Sequence, residues 1–237
     1  MLTVATYFWT DPKWPQEIQY NVKDVVTLKD RVNEHLTVPH NFMVITDQME
    51  KFYEIPDIIP APLDKSIHVP GTAFAKLLTF SPHAKYFLGE RVFVMDLDSL
   101  PVANFDEVVA RKEDLVLWRN PTRLPWNKPK KTGRPYYNTS FVLHTPGSFP
   151  ELYTGFDPEN PMARDDQWLV SRLVGPECPY WDSADGLYRI ARSDTPGSGI
   201  WGMKPKNAKI ITFCGSEGKP NNPKVRRANP WIAQYYN

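Results

Sequence analysis

Hydrophobic and polar positions along the chain follow two rhythms. Leu2 to Phe8, LTVATYF, is a nearly unbroken apolar run and predicts a buried first strand. Val22 to Leu36 then sets Val25, Leu28, Val32 and Leu36 three and four residues apart, the spacing of one helical face. Asn41 to Asp47, NFMVITD, returns to the strand rhythm. Strand, helix, strand in that order predicts a βαβ unit and a parallel sheet.

Gly71 to Pro82, GTAFAKLLTFSP, predicts a largely apolar helix, with Thr72 as its cap and Ser81-Pro82 as its end. Its one charge is Lys76. A buried ammonium is costly without an anionic partner. Lys76 therefore either faces a site or snorkels to solvent along its stem. Further strands are expected at Arg91 to Asp98, Asp114 to Trp118, Asn138 to Thr145 and Ala208 to Gly215. In the third of these, Phe141 and Leu143 alternate with polar neighbours, which puts His144 on the polar face, in reach of a sugar. Arg164 to Gly175 reads as a helix with acids at its start and glycine at its end. The pattern shows no repeat and no domain boundary. It predicts a single α/β domain over residues 1–237, with a mostly parallel sheet flanked by helices. Many of the 24 prolines lie after residue 100, so the second half should be rich in shaped loops.

Composition narrows the class. A hydrophobic fraction of 41% suffices for a substantial core. Lys+Arg 28 against Asp+Glu 27 excludes nucleic-acid binding by net charge alone, though not a local basic patch. Two cysteines, Cys178 and Cys214, do not make a disulfide framework and suggest a reducing compartment. MLTVATYFWTDP reads as a strand and not as a signal peptide, and no apolar run approaches a membrane span. The expectation is a cytoplasmic protein.

The chemistry concentrates in FVMDLDS, Phe93 to Ser99. On an extended segment, side chains two apart share a side, so Asp96 and Asp98 converge while Leu97 points into the core. Convergent carboxylates repel unless a cation lies between them. Oxygen ligands from short aspartates suit magnesium or manganese, with water and substrate phosphates completing the shell. The structural alternative is plain turn chemistry after a strand.

With its surroundings, this stretch resembles the GT-A fold glycosyltransferases, most closely the family-eight type. A basic residue on the preceding helix and the strand ending in D-x-D are read in FAKLLTFSPHAKYFLGERVFVMDLDSLPVANFDEVV. YYNTSFVLHT is similar to that family's Asn-Ser-Gly strand, DDQWLVSRL to its acidic-Gln helix, and KIITFCGSEGKP to its closing segment. The resemblance covers Leu2 to about Pro220 and implies a single Rossmann-like domain, with residues 1–100 binding the nucleotide and 101–237 the acceptor. It further implies a manganese or magnesium ion on Asp96 and Asp98, with Asp96 also near the ribose. Lys219 is placed on the diphosphate and Lys76 near the donor sugar. Asn138, Asp166 and Gln167 fall to the sugar hydroxyls, and Thr6, Tyr7 and Trp9 to the base. By position alone, Asp165 or Asp166 could instead cap its helix. This chain departs from the pattern where the family carries a metal-binding histidine: Thr212 stands there, or Cys214 if the alignment slides by two. Ser140 likewise replaces a glycine.

The implied reaction is transfer of a sugar, with retention, from a nucleotide-sugar donor, a UDP-sugar by resemblance. The acceptor is a saccharide or a modified DNA base. The second option rests on RNPTRLPWNKPKKTGRPYY, where basic residues from Arg119 to Arg134 interleave with Trp118, Trp126, Tyr136 and Tyr137. A sugar nucleotidyltransferase and a non-catalytic nucleotide-sugar or partner-binding domain are the alternatives.

Overall fold

The structure, a computed structural model, describes residues 1–11, 20–64, 73–120, 135–157, 165–190, 200–213, 220 and 222–236. Strands β1 (Leu2–Phe8), β2 (His40–Thr46), β3 (Ile59–Pro62) and β4 (Arg91–Met95) run parallel, in the lateral order β3-β2-β1-β4. The short strand β5 (Ser99–Pro101) follows β4 directly and leaves this sheet. Strands β6 (Leu115–Arg119), β7 (Tyr137–His144) and β8 (Tyr180–Trp181) complete the seven-stranded sheet in the order β4-β7-β6-β8. Only β7 runs against the others. A second sheet joins β5, β10 (Ile210–Thr212) and β9 (Leu187–Arg189), with β10 central.

Helices cover both faces. Helix α1 (Val22–His35) begins with a reciprocal cap: the Asn21 side chain accepts from Lys23 N, and Asp24 accepts from Asn21 N. Its Val25, Leu28 and Val32 are buried on one face of the sheet, together with Val4, Val44, Phe93, Trp118 and Phe141. Helices α2 (Lys85–Leu88), α3 (Asp106–Val109) and α4 (Glu151–Thr154) are single turns. On the opposite face lie α5 (Asp166–Val174) and a 3-10 helix, Phe74–Phe80, over Ala5, Ile45, Val92 and Val94. A third cluster, Leu100, Ile190, Ile211, Phe213, Val225 and Ile232, lies between the second sheet and the C-terminal segment. That segment comprises α6 (Pro223–Ala228) and a 3-10 turn, Pro230–Gln234. No helix among the described residues is long and apolar enough to cross a membrane.

The expected helix over Gly71 to Pro82 is the 3-10 helix, and all seven of its residues are buried. Its proposed cap, Thr72, lies outside the described residues. The tighter winding has a use, because residues three apart line up in a 3-10 helix. Phe74, Leu77 and Phe80 form one row, and Lys76 and Thr79 another.

His144 corrects the expectation of a polar face. It ends β7 in full burial, its Nε2 2.6 Å from Thr79 Oγ1 and its ring 4.6 Å from Phe80. The apolar neighbours on both faces of this strand override the alternation in its sequence. Burial pushes the imidazole down to about 3. A group depressed in the folded state contributes stability above its unfolded value, near 6.5, and that stability is lost as pH falls towards 3. Unfolding midpoints in urea should therefore drop between pH 7.5 and 5, with His144 supplying about 2 kcal/mol of the loss. The variant His144→Gln should show a shallower pH dependence over that range.

Candidate active site

The D-x-D segment is not the end of a strand. Strand β4 stops at Met95, and Ser99 N donates to Asp96 O at 3.0 Å, closing a four-residue turn. Leu97 is buried, as alternation had implied, but the turn and not an extended backbone brings Asp96 and Asp98 together. Three backbone contacts fix it. Asp96 N donates to Ser140 O at 2.9 Å, Phe213 N donates to Asp98 O at 2.8 Å, and β5 begins at once, pairing Ser99 with Thr212 of β10. The strand after the turn thus has its partner in the second sheet, which holds the turn from beyond the main sheet.

Burial first, and then the Asp96 carboxylate beside it, raise the carboxyl of the half-buried Asp98 well above the usual range. The two acids thus oppose each other's ionisation. Thr212 Oγ1, fully buried, lies 3.3 Å from Asp98 Oδ1. Of the two residues the alignment offered as a further metal ligand, Thr212 donates a hydrogen bond to Asp98, and Cys214 lies outside the described residues. Among the described residues, no three His, Cys, Asp or Glu side chains cluster as a metal site.

Lys76 joins this turn to α5. Its Nζ lies 2.8 Å from Asp96 Oδ1, 3.3 Å from Asp166 Oδ2 and 3.3 Å from Thr139 Oγ1. Burial alone lowers the ammonium's pKa, but Asp166 and Asp96 outweigh it and hold the charge well above its ordinary value. Of the two readings open in the sequence, the anionic site holds and the snorkel does not. Thr139 also donates to Asp166 Oδ2. Tyr7 donates its phenol to Lys76 O at 3.2 Å and so anchors the 3-10 helix itself.

Strand β7 delivers Thr139 through an irregularity. Leu117 pairs with Val142, but the next residue, Trp118, pairs with Asn138. The shift breaks the alternation of faces, so Thr139 and Phe141 face opposite sides of the sheet although they are two residues apart. Asn138 Oδ1 accepts from Ser140 N at 2.7 Å across the shifted segment. That bond spans the bulge and holds it.

Asp165 and Asp166 divide their tasks. Asp165 caps α5, its Oδ1 accepting from Trp168 N at 2.8 Å. Burial first, then Asp166, raise its carboxyl. Asp166 is left to turn inward, where it is 1% exposed and its Oδ1 has no hydrogen-bond partner among the described residues. This enclosed carboxylate meets Lys76 and Thr139. Gln167 is half-buried, its backbone N–H donates to the Asp165 carboxylate, and its side chain makes no hydrogen bond among the described residues. Tyr7 and Thr6 are buried, whereas Trp9, edge-on to Tyr7 with ring centroids 6.3 Å apart, is half-buried at the end of β1. Of the residues expected near the base, Trp9 alone keeps appreciable exposure.

Lys219 and Cys214 lie outside the described residues, as does 121–134, most of the basic and aromatic segment. At the ends of that segment Trp118 and Tyr137 are fully buried, and Arg119 lies 5.1 Å from the Tyr180 ring centroid. Tyr136, at the same end, is half-buried, with Arg119 5.8 Å from its ring centroid.

No protein-family model matches the chain, and no curated relative matches it by sequence. Solved structures do resemble it. The glycosyltransferase GlyE of Streptococcus pneumoniae TIGR4 superposes with a TM-score of 0.63 at 12% identity, over 99% of this chain and 60% of its own. The galactosyltransferase LgtC, solved with donor and acceptor sugar analogues, gives 0.56 at 11% identity, over 98% of this chain and 94% of its own. An active-site mutant of LgtC gives 0.62. This chain thus spans about three-fifths of GlyE and most of LgtC.

Removing the buried ammonium tests the network. Lys76→Met leaves two carboxylates facing each other and should cost about 3–5 kcal/mol in urea unfolding. Adding Asp166→Asn to Lys76→Met should recover part of that loss. The seven-stranded sheet with β7 reversed, the helices on both faces and these superpositions together give the chain the GT-A glycosyltransferase fold.

Proposed function

We propose that this protein is a glycosyltransferase that moves a sugar from a nucleotide-sugar donor, a UDP-sugar, to a saccharide hydroxyl with retention of configuration. The Asp96–Asp98 turn carries this reading. It is a pair of repelling carboxylates at the C-terminal end of a central parallel strand, where ligands of open α/β sheets bind. The donor set fits manganese or magnesium, since both ligands are hard oxygens and the remaining positions go to water and phosphate. A bound ion would act as a Lewis acid, stabilising the departing nucleoside diphosphate.

The chain's own side chains do the rest. Lys76 engages Asp96 Oδ1, which leaves Oδ2 to turn towards the ion. Thr212 donates to Oδ1 of Asp98. Gln167 and the amide group of Asn138 are the hydrogen-bonding groups assigned to the sugar, and Trp9 to the base. Lys219 is assigned to the diphosphate as a point charge.

Hydrolysis of a panel of UDP-sugars in the presence of manganese tests the proposal. Wild type should release UDP, and Asp98→Asn should reduce the rate by about two orders of magnitude or more. Equal rates from the two proteins would remove the metal site. Donor binding without turnover, even with saccharide acceptors supplied, would instead identify a nucleotide-sugar-binding module.

A further inference from the structure

The C-terminal segment reaches the D-x-D turn. Phe213, whose amide bonds Asp98 O, is fully buried, and the ring of Tyr236 stands edge-on to it, with centroids 6.5 Å apart and planes 75° apart. The tail is built into place and does not merely hang. Asn229, fully buried, donates from Nδ2 to Val225 O at 3.0 Å and accepts at Oδ1 from Gly202 N at 2.8 Å. Ile232 is buried in the third cluster, and Tyr236 N donates to Ile232 O at 3.1 Å. Lys204 ties the adjacent Tyr235 hydroxyl at 3.2 Å. The Tyr236 hydroxyl, by contrast, has no hydrogen-bond partner among the described residues.

Burial raises the Tyr236 phenol, and the carboxylates of Asp24 and Asp98 raise it further, against a smaller opposing effect of Arg226. The phenol thus stands within electrostatic reach of both the start of α1 and the metal-site turn. A half-buried hydroxyl without a partner among the described residues, held by a packed C-terminal segment beside a proposed diphosphate site, is a ready donor for a ligand group.

The geometry points to Tyr236 as a donor-site residue: its hydroxyl hydrogen-bonds the nucleoside part of a nucleoside diphosphate whose phosphates lie at Asp96 and Asp98. This rests on the proposed function above. It gives the C-terminal segment a part in recognising the nucleoside, separate from the carboxylates that recognise the phosphates through the ion.

Calorimetric titration of the full chain with manganese present tests it, using uridine, guanosine and adenosine diphosphates and, separately, inorganic pyrophosphate. Tyr236→Phe keeps the ring on Phe213 and removes only the hydroxyl. It should weaken the preferred nucleoside diphosphate about threefold to tenfold, the worth of one hydrogen bond, and leave pyrophosphate unchanged. Tyr236→Ala should weaken the nucleotide at least as much, again sparing pyrophosphate. Unchanged nucleotide affinity in Tyr236→Phe overturns the inference, as does an equal loss for nucleotide and pyrophosphate, which would mark a structural prop for the turn. A wild-type protein that binds none of the four ligands overturns the proposed function and this inference together. Wild-type binding that survives both substitutions overturns the inference alone.

Discussion

The buried ammonium of Lys76 holds the site together. It touches the turn after β4 through Asp96, helix α5 through Asp166 and the bulged strand β7 through Thr139. Those three elements come from separate stretches of the chain, and apolar packing alone would leave their relative positions loosely set. A charge that must be neutralised inside the protein constrains them more narrowly, because losing the ammonium leaves its two carboxylate partners uncompensated. The arrangement also fixes which oxygens remain for a ligand. Asp166 is consumed in holding the lysine, and Asp96 is half consumed.

The second sheet serves the same end from the other side. Asp98 O accepts from Phe213 N, and Thr212 reaches the Asp98 carboxylate, so the turn is gripped by β10 as firmly as by β7. The acids are thereby held close, and after burial itself the Asp96 carboxylate opposes ionisation of Asp98.

The long elements were legible because their periodicity matched their burial. Strand β1 and helix α1 stand almost where the spacing puts them, and the lone lysine in FAKLLTF did signal an anionic site. Other features were hidden for physical reasons. Strands β3, β5, β8 and β9 are two to four residues long, too short to express a rhythm. His144 looked polar by alternation, yet packing overrode its type. The bulge in β7 could not be seen without its partner strand, so the inward turn of Thr139 went unread. The burial of Asp166 and its contact with Lys76 depend on tertiary packing and could not be read from its place at a helix start. Tyr236 gave no signal at all, since nothing local ties a chain end to a turn more than a hundred residues earlier.

Strand β3 carries one more consequence. It reads Ile-Pro-Ala-Pro and, among the described residues, lies at the margin of the sheet, paired on one side only, to β2. Just beyond it, Leu63 N donates inward to Thr46 O, so by alternation Ala61 also faces β2 while Pro60 and Pro62 face outward. Both outward positions thus lack an amide hydrogen. A strand arriving at that margin from another molecule finds carbonyl acceptors there and no donors, so it cannot complete a ladder. The open flank of a sheet that is otherwise apolar on both faces is closed to self-association by two ring nitrogens, with no need of covering helix or charge.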